Sequence, residues 1–258
     1  MFLESSNELF KYLTKKEYIK DGYSLIDDLF ILSLDKVKES DIKVFLYCPN
    51  MITSDECKSI ISYYSSKCLT YEINQKIYNR LANKDNTQGV ILISKPKAFN
   101  SEKLCESPLI LVLDGLEQQG NIGTIFRTSE AVNADLIIFT NLKAKVPSDL
   151  LVKASRGMIY YVPYLIIENT EETIKFLHNI NSRIIVCEPE QGIDFKEFNY
   201  SGSITLIVGN ERFGVDKKWF ETYSEYLKIP MNGVMDSLNV GVAASLIIYE
   251  AFYKRSLK

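Results

Sequence analysis

The chain has 258 residues, 30 Lys+Arg against 33 Asp+Glu for a net charge of −3, and an apolar fraction of 46%. That length suffices for two modest domains with real cores, and the near-neutral balance excludes a broadly basic protein that coats nucleic acid. Residues 1 to 107 carry fifteen basic and fifteen acidic side chains, and residues 108 to 258 carry fifteen and eighteen, so a polyanionic partner must be held by a local patch of Lys and Arg.

The start, MFLESSNELFKYLTKKEY, places acids where a secretory signal would have a basic region and an apolar core. No apolar run approaches the roughly 20 residues needed to cross a bilayer, so the expected location is the cytoplasm. The first part of the chain reads as mixed helix and short strand. A helical pattern in SNELFKYLTKKEYI is followed by the strand IKVFLYCP, the helices SDECKSIISYYSSK and EINQKIYNRLAN, and the strand GVILISK. The polar stretch PKAFNSEKLCESP, bracketed by Pro96 and Pro108, reads as a linker. The expected domains are therefore 1–95, a linker at 96–107, and 108–258.

From Pro108 the pattern becomes strand and helix in alternation. LILVLDG, DLIIFT, RIIVCEP, SITLIVGN and YLKIPM read as strands; NIGTIFRTSEAVNA, SDLLVKASRGMIY, TEETIKFLHNIN and DKKWFETY read as helices, and a last helix starts near Ser237. Strands apolar throughout and separated by helices predict an α/β domain with a parallel sheet covered on both faces, whose ligands sit at the carboxyl ends of strands.

Cysteine and histidine usage narrows the chemistry. Five scattered cysteines without a C-x-x-C pair argue for idle thiols, and no metal site is expected. The single histidine, His178, lies in a polar helical pattern and reads as a solvated side chain, so Ser-His-Asp chemistry is poorly supplied. Gly115 and Gly120 have the spacing of a phosphate-binding loop, but Asn121-Ile122 stands where Lys-Ser/Thr is needed. No G-x-G-x-x-G follows the first strand, which removes an ordinary dinucleotide site.

Three ordered motifs remain at strand ends. Asn121, Gly123 and Arg127 form an Asn-x-Gly followed by an Arg on the ensuing helix. Gly209, Asn210, Glu211 and Gly214 end a strand as Gly-Asn-Glu with a later Gly. Ile229, Pro230, Met231, Gly233, Ser237, Leu238, Asn239 and Val240 precede a helix that carries Tyr249 and Glu250. Together they resemble the SpoU, or TrmH-type, RNA 2′-O-ribose methyltransferase family of the SPOUT class. The resemblance is close over 108–258 and looser over the front, which looks like the family's small L30-like substrate-binding domain. It implies a deep trefoil knot in the C-terminal domain, a homodimer joined through the knot region, S-adenosylmethionine as cofactor and rRNA or tRNA as substrate.

By the same resemblance, the cofactor is contacted at Gly209, Ile229, Met231 and Leu238. Arg127, Asn121, Glu211, Ser237 and Asn239 would carry catalysis. Because a guanidinium is almost never deprotonated, the reading preferred for Arg127 is a phosphate contact that stabilises developing alkoxide charge, with the other four orienting the reactants. Gly233 is expected to permit a turn closed to side chains with a Cβ, and Ser237 to cap the last helix. Gly241, Ala243, Ala244 and Ser245 are expected to let that helix lie close to its neighbours; at Gly241 the family usually has Ser, which leaves local packing open. Trp219 reads as packing. Lys15, Lys16, Lys20, Arg80 and Lys84 are candidate backbone contacts in the front domain. The alternatives are base methylation by the same fold, or an RNA-binding, ribosome-associated protein without turnover.

Overall fold

The computed structural model describes residues 2–4, 7–82, 88–100, 102, 104–222 and 225–256; Lys84 lies outside them. The chain divides into two compact units, Met1–Ala98 with Val146–Tyr160, and Phe99–Lys145 with Tyr161–Lys258.

In the first unit, strands β1 (Ser24–Ile26), β2 (Asp41–Tyr47), β3 (Thr70–Glu72) and β4 (Val90–Lys95) form a sheet in the order β1-β4-β2-β3. β4 runs antiparallel to β1 and β2, while β2 and β3 are parallel. Its helices are α1 (Glu8–Thr14), α2 (Leu29–Ser33), α3 (Asp35–Lys38), α4 (Asp55–Lys67) and α5 (Gln75–Leu81). Short polar side chains start four of them: Asn7, Asp28, Ser54 and Asn74 each accept a first-turn amide, which satisfies donors that a helix end otherwise leaves bare. Phe10, Leu13, Tyr18, Val44, Leu46, Ile91 and Ile93 meet in one apolar core.

The segment 146–160 departs from the sequence reading, which placed it with the second half. Helix α7 (Asp149–Ala154) belongs to the first unit because the buried Asp149 carboxylate accepts from the Tyr18 hydroxyl and the Leu25 amide, both at 2.7 Å, and from Lys16 Nζ at 3.2 Å. The helix expected over 148–160 breaks after Ala154: Arg156 and Gly157 take φ of +54° and +83°, and only a 3-10 turn, Met158–Tyr160, follows. A Cβ on Gly157 would lie 2.8 Å from Leu34, so glycine answers both the dihedral and the space.

The second unit holds seven parallel strands in the order β7-β6-β5-β10-β8-β11-β9. They are β5 (Leu109–Asp114), β6 (Leu136–Thr140), β7 (Tyr164–Ile166), β8 (Arg183–Cys187), β9 (Ile193–Asp194), β10 (Ile204–Gly209) and β11 (Tyr226–Lys228). The helices are α6 (Gln119–Ala131), α8 (Thr170–Asn179), α9 (Lys218–Thr222) and α10 (Val240–Ser256). Every residue of β5 and β6 is buried, and since side chains alternate along a strand, both faces are covered. Ile110, Val112, Leu136 and Ile138 pack with Leu177 of α8 and Trp219 of α9. On the other face Phe139 stacks on Phe126 of α6, centroids 6.1 Å apart.

Trp219 is buried, and its indole donates to Asp114 at 3.0 Å, a packing role as expected. His178 is exposed on α8 and all five cysteines are free. No described helix is long and apolar enough to cross a membrane, and no metal-binding cluster occurs among the described residues.

Candidate functional site

Strand order reverses at β5: β6 and β7 extend the sheet to one side and β10 begins the other. At such a switch point the loops leaving the carboxyl ends part and leave a crevice. To one side of that point a cavity of about 510 Å³ opens beyond the carboxyl ends of β10, β8 and β11. Its wall takes Gly209 from β10, Cys187 and Glu188 from the end of β8, Ile229 and Met231 beyond β11, and Ser237 to Val240 leading into α10.

Gly209 is there because nothing larger fits. A Cβ would stand 2.3 Å from the Gly214 carbonyl carbon and 2.4 Å from Val215 N, so the returning loop lies directly on the strand end. Asn210 ties that loop. It exchanges both backbone hydrogen bonds with Gly214 at 2.9 Å, accepts on Oδ1 from the amides of Arg212 and Phe213, and donates Nδ2 to the Gly115 carbonyl at 2.9 Å. Beneath it Asp114 is saturated by Asn141 Nδ2, the Asp216 amide and Trp219 Nε1.

The first turns of α6 and α10 meet at the cavity edge. Asn239 Nδ2 donates to Asn121 Oδ1 at 3.0 Å, and Asn121 Nδ2 donates to Glu211 Oε1 at 2.5 Å. Three motifs separated by up to 118 positions thus join in one hydrogen-bonded chain. Asn239 also accepts, on Oδ1, the amides of Gly241 at 3.0 Å and Val242 at 3.3 Å. The cap of α10 is therefore Asn239. Ser237 does not cap it, because the helix begins at Val240 and Ser237 is an exposed residue on the cavity wall.

The two helices approach closely at Gly241, as expected: a Cβ would sit 3.2 Å from Asn239 Oδ1 and 3.4 Å from Asn121 Cα, so a side chain there would press on both by a few tenths of an ångström. Farther along, Thr128 and Ser245 hydroxyls meet at 2.8 Å and Ala244 is fully buried, while Ala243 faces the cavity. Gly233 departs from expectation, since it has no positive φ and a Cβ there would meet nothing within 4 Å.

All four expected cofactor contacts, Gly209, Ile229, Met231 and Leu238, line the cavity together with Glu211, Ser237 and Asn239. Arg127 is not part of the hydrogen-bonded chain or of the cavity wall. It is exposed on α6, about 9 Å of helix rise beyond Asn121, and its guanidinium has no protein partner among the described residues. In the first unit, Lys16 is engaged by Asp149 and Arg80 lies over the Phe10 ring, whereas Lys15 and Lys20 are exposed.

Glu188 was missed by the motif reading, although its place directly after an apolar strand is the one signal available. Burial, and then the charge of Glu190, push its carboxyl above the ordinary range. Beside it, burial raises the Cys187 thiol to about 12, so it stays protonated. The wall is otherwise mostly apolar, with Val208, Leu227, Val240 and Ile247 among its residues. A cavity of this size, apolar with a few convergent polar groups, suits a nucleoside-sized ligand that has an apolar body and polar ends.

Residues 108–249 match the SpoU rRNA Methylase family. A Staphylococcus saprophyticus protein assigned to the TrmH family of tRNA/rRNA methyltransferases is 29% identical over 249 residues, covering 93% of each chain. Among solved structures, the SpoU methyltransferase AviRb from Streptomyces viridochromogenes, in complex with AdoMet, superposes with a TM-score of 0.85 at 21% identity, over 97% of this chain and 98% of that one. An RNA 2′-O ribose methyltransferase superposes at 0.79 with 24% identity over 99% of each. The fold is that of the SPOUT methyltransferases.

Proposed function

Because the chain belongs to the SpoU rRNA methylase family, we propose that it transfers a methyl group from S-adenosylmethionine to a ribose 2′-hydroxyl of ribosomal or transfer RNA. The observation that carries this reading is the chain from Asn239 through Asn121 to Glu211 at the edge of a nucleoside-sized cavity. It gathers residues of all three motifs at one point.

S-adenosylmethionine, when bound, supplies a methyl group already activated toward nucleophiles. Gly209, Ile229, Met231 and Leu238 would hold it, the first by letting the Gly214 loop close on the strand end and the others by apolar contact. The harder task is the hydroxyl, a very weak acid that must be presented in line. Because a guanidinium is not deprotonated in proteins, the role of Arg127 is to bind the phosphate next to the target ribose and to offset the negative charge that develops on the oxygen as its proton passes to solvent and the methyl group leaves sulfur. Asn121 fixes one Glu211 oxygen and leaves the other without a protein donor among the described residues, and Glu211, Ser237 and Asn239 orient ribose and methyl donor.

Two further parts of the proposal are structural. The last segment is threaded as a trefoil knot, supported by the parallel placement of β10 between β5 and β8 and the packing of α10 on α6. The protein is a homodimer, supported by α10, where Val242, Leu246, Tyr249, Phe252 and Tyr253 form an exposed apolar stripe. Labelled methyl transfer to total RNA, followed by nuclease mapping, tests the reading: label recovered as a 2′-O-methyl nucleotide is expected. Label on a base, or none, overturns it.

A further inference from the structure

The loop that carries Glu211 also presents a ring that the chemistry above leaves idle. Phe213 is 72% exposed. Glu211, Arg212 and Gly214 around it line the cavity, whereas Phe213 is not part of that wall and stands on the outer side of the loop. A single exposed apolar side chain is ordinary on a protein surface. Two features set this one apart.

The first is rigidity. The Phe213 amide donates to Asn210 Oδ1 at 3.3 Å, in a loop closed by the paired Asn210 and Gly214 backbone bonds and moored to Gly115. The ring therefore sits on a platform whose ordering cost is already met by the fold. The second is charge. Lys143 Nζ lies 5.1 Å from the ring centroid and is steadied by Glu117 at 3.4 Å. Arg212, beside Phe213 in the chain, and Lys145, two residues beyond Lys143, are exposed as well. A desolvated protein interface tends to exclude lysine from its centre. Single-stranded nucleic acid instead needs this pairing, an aromatic face for a base and cations for the flanking phosphates.

We propose that Phe213 is the stacking platform for an unpaired nucleobase of the RNA substrate, with Lys143 serving the adjoining phosphate. The inference rests on the RNA reading above and deepens it: a nucleotide whose ribose enters the cavity leaves its stack, and the base needs a new surface. Such a platform accepts any base, so it selects for unpaired structure rather than for sequence.

The test uses the full chain, a single-stranded RNA of about twelve nucleotides carrying 2-aminopurine, and calorimetric titration with S-adenosylmethionine. Wild-type protein is expected to bind the RNA and quench the reporter. Phe213→Ala should lose the quench and about tenfold or more in affinity, while Phe213→Trp retains both. Lys143→Ala should lower the salt dependence by about 0.7 in log–log slope, the value for one single-strand phosphate contact. S-adenosylmethionine affinity should be unchanged in all three. Wild-type RNA affinity in Phe213→Ala, or dissociation of that variant into monomers, would overturn the proposal alone. Failure of the wild type to bind this RNA and total ribosomal RNA would sink the RNA reading with it.

Discussion

Asp149 in the first unit and the polar groups around the cavity and on α6 of the second are treated in opposite ways. In the first, the buried Asp149 is filled: a hydroxyl, a backbone amide and an ammonium all point at it. In the second, Glu188 sits half-buried in the cavity wall with a raised pKa and Ser237 lines the same cavity, while Arg127 is exposed on α6 without a partner among the described residues. A group that holds a fold together is saturated by the protein. A group meant for a ligand keeps its bonding capacity in reserve, and the cost shows as perturbed titration or exposure.

Substitutions can break this contrast, and the largest effect belongs to the open side. Arg127→Ala is expected to lose methyl transfer by a factor on the order of a hundred or more, with thermal stability and S-adenosylmethionine affinity unchanged. Turnover equal to wild type would remove Arg127 from the mechanism. Asp149→Ala probes the saturated side: stranding the Tyr18 hydroxyl and the Leu25 amide should cost about 2–3 kcal/mol in denaturant unfolding, with activity per folded molecule preserved.

Asn239→Ala tests a residue that belongs to both classes, since it caps α10 and holds Asn121. Loss of the cap costs about 1 kcal/mol. The loosened grip on Asn121 and Glu211 should lower kcat more than KM; an effect on stability alone would reduce Asn239 to a cap.

The smallest effect is expected at Glu188. Its carboxyl titrates higher in the folded chain than in the unfolded one, so the folded state binds the proton more readily and stability declines as pH rises through that window. Glu188→Gln should therefore raise Tm modestly at neutral pH, with the gain vanishing as pH falls below about 4, where the carboxyl is protonated in the folded and the unfolded chain alike. A gain that persists in acid would contradict the sign.

Much of this molecule could be read before folding. β5, β6, β8 and β10 are apolar at nearly every position, with polar residues confined to Asp114, Thr140, Arg183 and Thr205, and a strand buried on both faces needs that composition. The edge strands β7 and β9, and β1 and β3 of the first unit, are two or three residues long, too short to show a period. α10 was placed three residues early because Ser237 has the chemistry of a cap; the position went to Asn239, whose side chain is held by Asn121 on another helix. Segment 146–160 reads as the partner of its sequence neighbours, yet Asp149 finds its donors at Tyr18 and Leu25, more than 120 positions away.

The sequence by itself determined the parallel core, the three strand-end motifs and the residue types that could meet a methyl donor, because periodicity and turn chemistry are local properties of the chain. Only the tertiary structure decided which of those residues meet: Asn239, Asn121 and Glu211 in one chain of hydrogen bonds, Arg127 outside it, Phe213 on the outer rim and Glu188 within the wall. Hydrogen bonding and burial depend on distances between elements far apart in the chain, and no local pattern encodes those distances.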